Sequence, residues 1–291
     1  AFEVDGIEDG GMIEYLTRKK KEGRFPVYQT TERPDRAAQA ILEGRVVLLT
    51  DNSPEALIFP ATLNSLFQTA DDYYRNERIV TFLRLIRYVA AFLALALPGL
   101  YVAAATFHPQ LLPGNLIRSM AEARSGVPFP TAAEVLLMEL SFELLREAGL
   151  RMPGPAGNTI GIVGGLIVGQ AAVSANLVSP ITVTVAALTA LGSFSIPNEE
   201  LSEVFRLWKY GILLLGSCFG ILGVMLGCFL LLMLMAEQES YGIPWLYPYV
   251  GGNLNERADE KDSMFLAAAR KRKRRPIFAK WGNRIRFRRK S

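Results

Sequence analysis

Charged and apolar positions are distributed very unevenly along this chain of 291 residues. No Asp, Glu, Lys, Arg or His occurs from Tyr88 to Phe107, from Met152 to Asn198 or from Tyr210 to Ala236. A helix rising about 1.5 Å per residue needs about 20 apolar residues to cross a bilayer. The pattern therefore predicts an α-helical, multi-pass membrane domain over 71–250. Its spans fall near 86–107, 157–175, 180–196 and 210–236. The long uncharged run divides at "NLVSP", because Pro180 disfavours helix at Ser179. Pro98-Gly99 marks a kink in the first span.

The flanks read differently. Residues 1–70 have the pattern of the C-terminal part of a small cytoplasmic α/β domain. "DRAAQAILEG" has helical spacing and closes on Gly44, while "RVVLLT", "DNSP" and "EALIFPA" read as strand, turn and strand. The opening "AFEVDGIEDGGM" lacks a Met and a signal-peptide apolar region, so the chain is expected to be a fragment missing part of a domain upstream. In "DDYYRNERIVTFLRLIRY", Asp71 or Asp72 is placed to cap a helix that carries Arg75, Arg78, Arg84 and Arg87 to the membrane interface. "EQESYGIPWLYPYV" reads as an aromatic, proline-broken exit from the last span.

One segment interrupts the greasy pattern. "EVLLMELSFELLREAGLRMP" predicts a helix over 131–149 in which Glu139, Glu143 and Glu147 recur every four residues, opposite a leucine-rich face. A charge at the lipid centre costs about 2.5–3.5 kcal/mol even on the lenient insertion scale. The stripe is thus expected to face water, a partner subunit or a wet interior. Two readings remain open, an amphipathic helix lying on the membrane and a stripe facing a vestibule or pore, where acids favour cations. Basic flanks place both chain ends on the cytoplasmic side, which requires an even number of crossings. Four spans satisfy this, so the glutamate helix is expected not to cross. Arg118, Arg124, Arg146 and Arg151 then fall on the outer side, against the rule.

Small residues predict tight helix contacts. Gly157, Gly161, Gly165 and Gly169 form one register, and Gly216, Gly220, Gly223 and Gly227 repeat the small-xxx-small device in the last span. The spacing leaves open whether the contact lies within one chain or between copies. Beside the first register, Asn158 and Gln170 are candidates to line a conduit or to bond across the bundle, and Val163, Leu166 and Gln170 are candidate constriction residues.

The net charge of +4 conceals an asymmetry. Residues 270–291 hold twelve Lys or Arg and no acid, leaving 20 basic against 28 acidic residues elsewhere. A cytoplasmic tail over 251–291, with Arg270, Lys271, Arg272, Lys273, Arg274 and Arg275 at its centre, is expected to bind anionic lipid rather than nucleic acid. Cys218 and Cys228 lie ten residues apart in one helix and have no metal spacing, and His108 has no companion ligand. "GIVGGLIVG" lacks the Lys-Ser/Thr of a P-loop, and "GSCFG" has only the outline of a nucleophile elbow. Neither an enzyme nor a cofactor is expected.

In order along the chain, "FPVYQTTERPDRAAQAILEGRVVLLTDNSPEALIFPATL", "IRYVAAFLALALPGLYVAAATFHPQLLP", "VPFPTAAEVLLMELSFELLREAGLRMP", "IGIVGGLIVGQAAVSANLVSP" and "SYGIPWLYP" resemble the GerA family of bacterial spore germination proteins, the A subunits of germinant receptors. The similarity covers about residues 24–250, and "ELLREAGLR" followed by "IVGGLIVGQAAV" is its most specific block. Asp51-Asn52 departs from the Asp-Gly usual in the family's hairpin turn. A SpoVAF-type paralogue would look similar in this window. The resemblance implies a multi-pass protein of the spore inner membrane, working with a transporter-like B subunit and a lipoprotein C subunit. It further implies homo-oligomers that conduct monovalent cations. The alternative expectation is a non-conducting scaffold or relay for the transporter-like partner.

Overall fold

The computed structural model describes residues 11–12, 25–51, 53–151, 155–250, 262–267 and 276–279, with the side chains of 155–163 and 166 outside that description. Asn52 and the basic cluster Arg270–Arg275 also lie outside it. The chain divides into two compact units, one of Ala1–Tyr88, Ile196–Val204 and Leu232–Ser291, the other of Val89–Ser195 and Phe205–Leu231.

The first unit is built around a three-stranded antiparallel sheet of β1 (Gln29–Thr31), β2 (Val46–Leu49) and β3 (Ala56–Phe59), in the order β1-β3-β2. The apolar run of β3 takes the central place, where all four residues are buried. Its Leu57 and Phe59 pack with Val27, Tyr28 and Leu48. Helix α1 (Pro34–Glu43) stops where the sequence pattern places its end, because Gly44 adopts φ 92°, a left-handed conformation that favours glycine. Its N–H donates to the Ile41 carbonyl and that of Arg45 to the Ala40 carbonyl. A Cβ at Gly44 would lie 2.6 Å from the Phe278 carbonyl oxygen, so the close approach also requires glycine. A short helix α2 (Leu63–Phe67) follows. Beyond the second unit, the two-residue strands β4 (Glu239–Ser240) and β5 (Ile243–Pro244) present Trp245, whose indole N–H donates to the Pro26 carbonyl.

The second unit is helical. It contains most of α3 (Glu77–Phe107), then α4 (Gly114–Arg124), α5 (Thr131–Leu150), α6 (Pro155–Ser174) and α7 (Pro180–Phe194), and the middle of α8 (Glu199–Glu237). Two of these, α3 and α8, are long and apolar enough to cross a membrane. The expected four spans are not what the described residues show. Apolar α7 has 15 residues, a rise of about 22 Å against a core of about 30 Å. Helix α3 continues through Pro98.

The expected single span over 210–236 is also corrected. Gly220 has φ 62° and ψ −143°, outside the helical region, and α8 reverses there. In a straight helix Ile212 and Gly227 would be about 22 Å apart, yet a Cβ on Gly227 would lie 2.9 Å from the Ile212 side chain. Likewise a Cβ on Gly223 would lie 1.9 Å from the Leu215 carbonyl oxygen, and one on Gly216 2.9 Å from Val224. Helix α8 is therefore a hairpin of two antiparallel arms. Within this chain Gly220 lies at the turn and Gly216, Gly223 and Gly227 lie in the seam between the arms.

Contacts within this unit set the relative directions of α3, α5, α7 and the first arm of α8. Tyr101 of α3 meets Thr182 of α7, whereas a Cβ on Gly192 would meet the Ala90 carbonyl at 2.6 Å, so α3 and α7 are antiparallel. Helix α5 runs parallel to α7, with Glu134 at Thr182 and Arg146 at Ser193. It runs antiparallel to the first arm of α8, with Glu139 at Lys209 and Glu143 at Arg206. Met138 and Phe142 of α5 share a core cluster with Ala172 and Val173 of α6.

Candidate functional site

On the glutamate helix, whose stripe is expected to face water, a partner subunit or a wet interior, two acids lie buried within the unit. Val135 and Met138 are fully buried, and so is Glu134, at 0 % exposure. Glu139 is 2 % exposed. The reason is internal compensation, since a buried carboxylate is tolerated where a cation and hydrogen-bond donors meet it. Arg124 Nε donates to Glu134 Oε1 at 3.1 Å, while the Ser179 backbone N–H and the Thr182 hydroxyl donate to Oε2 at 3.0 and 3.1 Å. Glu134 thereby ties α4, α5 and the N-terminus of α7 together.

One turn further on, Lys209 Nζ donates to Glu139 Oε2 at 2.6 Å, and Arg206 pairs with Glu143. Among the described residues Glu139 Oε1 is buried without a hydrogen-bond partner. Arg146 lies 4.8 Å from the Phe194 ring centroid and donates to the Ser193 hydroxyl at 3.4 Å. Glu147 is different. Its side chain is 57 % exposed and pairs with Arg151 at 2.7 Å.

These groups border a cavity of about 890 Å³ that lies wholly within the helical unit, between α5, α6, α7 and the first arm of α8. Its wall brings together the sequence-predicted Glu139, Glu143, Gly165, Gly169 and Gln170. Phe142 packs over Gly165 and Val183 over Gly169, with Cβ clearances of 3.3 and 3.2 Å. Glu147 is not in the lining. The side chains of Asn158, Val163 and Leu166 lie outside the description, and Gly157 and Gly161 are placed only as helix α6 backbone. Lys209 and Arg206 escape a reading of the sequence as site residues because their segment has the composition of a return to water. The signal for them is their spacing of three on one helix, which matches the spacing of four between Glu139 and Glu143.

A second buried charge cluster lies in the first unit. Asp72, 2 % exposed, accepts from Arg84 Nε at 3.1 Å, from both terminal nitrogens of Arg87 at 2.9 and 2.8 Å, and from the Thr69 hydroxyl at 2.9 Å. Arg84 also donates to Asp262 at 3.0 Å and to the Ser263 carbonyl at 2.7 Å. Burial alone would raise the Asp72 pKa, but the Arg87 and Arg84 guanidiniums outweigh it and hold the carboxyl down at about 2. Asp72 thus caps the 3-10 turn Ala70–Tyr73 and fastens it to the start of α3, rather than capping α3 itself. No group of three or more His, Cys, Asp or Glu suited to a metal occurs among the described residues.

The fold and its composition define a mostly helical protein with a small sheet and two helices suited to crossing a membrane. The family model described as Bacillus/Clostridium GerA spore germination protein matches residues 1–278, and the chain belongs to that family. It is 41% identical over 267 residues to the uncharacterized membrane protein YfkQ of Bacillus subtilis (strain 168), covering 92% of this chain and 51% of that protein. It is 40% identical over 247 residues to spore germination protein A1 of the same organism, covering 85% of this chain and 51% of the relative. Spore germination protein GerLA of Bacillus cereus is 40% identical over 245 residues, 84% of this chain and 50% of the relative. The chain spans about half the length of these curated relatives. No solved structure matches it.

Proposed function

We propose that the chain is a multi-pass subunit of a germinant receptor complex in the spore inner membrane, where copies of it assemble into a gated cation channel. The two helices long and apolar enough to cross a membrane, α3 and α8, support the membrane topology. An even number of crossings returns the chain to the side on which it began, in keeping with arginines before α3 and a basic tail on the cytoplasmic face.

The observation that carries the channel reading is the pairing of Glu139 with Lys209 and of Glu143 with Arg206 beside a cavity that also receives Gln170. In this closed arrangement the acids are neutralised. Withdrawal of the first arm of α8 from α5 bares two carboxylates in a low-dielectric wall, where they favour cations. A transporter-like B subunit and a lipoprotein C subunit would supply the signal, and anionic lipid would hold the tail. Purified protein in liposomes passes K⁺ or Na⁺ on this reading, and Glu139→Gln with Glu143→Gln weakens the preference for cations. Unchanged selectivity removes these acids from the mechanism.

The same pairs favour a second reading, a non-conducting scaffold, because they leave only Glu147 of the stripe exposed. A scaffold shows no flux under any condition, and charge reversal at Glu147 then releases a partner. The oligomeric state in mild detergent separates the two, since a monomer encloses no central pore.

A further inference from the structure

We infer, resting on the proposed assembly of copies, that the N-terminal part of α3 is a face through which they meet, packing in parallel against α3 of a second copy. Ile79, Phe82, Ile86 and Val89 are 55, 63, 44 and 50 % exposed, although all four are large and apolar. Spaced by three, four and three residues, they form one stripe along a continuous helix, in the pattern with which helices interlock side by side. Val80 and Arg84, on the far side, are buried. Asp72 holds both Arg84 and Arg87 there.

Lipid does not cover this stripe. The charge-free run from Tyr88 to Phe107 rises about 30 Å and matches the hydrocarbon core by itself. Ile79 and Phe82 stand about 13 and 9 Å further along the axis, past a head-group layer about 5–8 Å deep. An apolar stripe that climbs out of the bilayer is left to protein. A second copy fits it on two counts. Copies inserted in one membrane run parallel at equal depth, so each residue of the stripe meets an apolar counterpart. The guanidiniums of Arg84 and Arg87, which would repel across a self-contact, are turned to the far side and neutralised by Asp72. Arg78, exposed at the margin of the stripe, keeps its charge in water.

The test uses the full chain in membranes, with Cys218→Ser and Cys228→Ser removing the native thiols. Single cysteines are then introduced and oxidised, and disulfide-linked dimers are read by non-reducing electrophoresis. Ile79→Cys, Phe82→Cys, Ile86→Cys and Val89→Cys bring two Cα atoms within disulfide reach and cross-link, whereas Arg78→Cys and Leu85→Cys on the flank do not. Phe82→Glu, at an exposed position, leaves helix content by circular dichroism unchanged. It raises the protein concentration needed for half-assembly in mild detergent about tenfold or more, as loss of an interface anchor does. Equal cross-linking at all six positions marks random collision and overturns the inference. Assembly unchanged by Phe82→Glu also overturns it, and leaves the proposed oligomer standing on another face. A chain that stays monomeric in membranes removes both. Cross-links from the four stripe positions to a different protein assign the stripe to a partner subunit and likewise overturn it.

Discussion

The two units each bury a set of ion pairs, and the sets are built to different standards. In the first unit both Asp72 oxygens are occupied by two arginines and a hydroxyl, although Arg84 Nη2 lacks a partner. In the second, Glu139 leans on a single lysine and leaves one buried oxygen unmet. A saturated cluster resists rearrangement, because every member that moves strands the others. A carboxylate held by a single cation separates from it at lower cost. On the proposed channel reading, the contrast fits anchoring at the Asp72 cluster and change at the α5–α8 pairs.

The largest effect is expected where a saturated cluster loses its hub. Asp72→Ala removes the carboxylate that Arg84 and Arg87 share, leaving Arg84, 1 % exposed, to Asp262 and the Ser263 carbonyl, and should cost about 3–5 kcal/mol in unfolding followed by circular dichroism in detergent. Lys209→Met alone should approach that loss by stranding Glu139. Adding Glu139→Leu to it should restore stability to near wild type, because apolar replacement of both partners of a buried pair is often neutral. Full restoration in the corresponding Asp72→Leu, Arg84→Met protein would erase the contrast between the units.

Acid titration gives a somewhat smaller effect. The folded pKa of Asp72 is depressed from 3.8 to about 2, so its contribution is fully present above the ordinary value and disappears as pH falls through the folded one. That is about 2 kcal/mol, lost between roughly pH 4 and 2 and absent from the Asp72→Ala protein. Gly220→Val should cost about 1–3 kcal/mol by forcing a side chain into backbone that only glycine adopts freely, and proteolysis near the α8 turn would report it. Glu147→Gln should change stability by less than about 1 kcal/mol, since its partner Arg151 is also exposed.

Much of the chain is legible in its residues alone. The run "RVVLLT…EALIFPA" pairs as β2 with β3, and Gly44 ends α1 where helical spacing stops. The glycines of the last span predict close packing, and the family is readable from the order of its motifs. The expectation of four spans fails for a specific reason. A reversal at one glycine leaves no composition shift, so "GSCFGILG" looks like uninterrupted span. The helical period places Glu139 and Glu143 on one face but does not identify the residues that face meets.

The sequence by itself determined which segments suit lipid, which residues lie on one face of α5, and the kinship with GerA proteins. These depend on composition and local period, which any window of the chain displays. Only the tertiary structure decided that Gly220 folds α8 back on itself and that Lys209 and Arg206 quench the acids of α5. Both are contacts between residues far apart in the chain, selected by packing and by the cost of an unpaired buried charge.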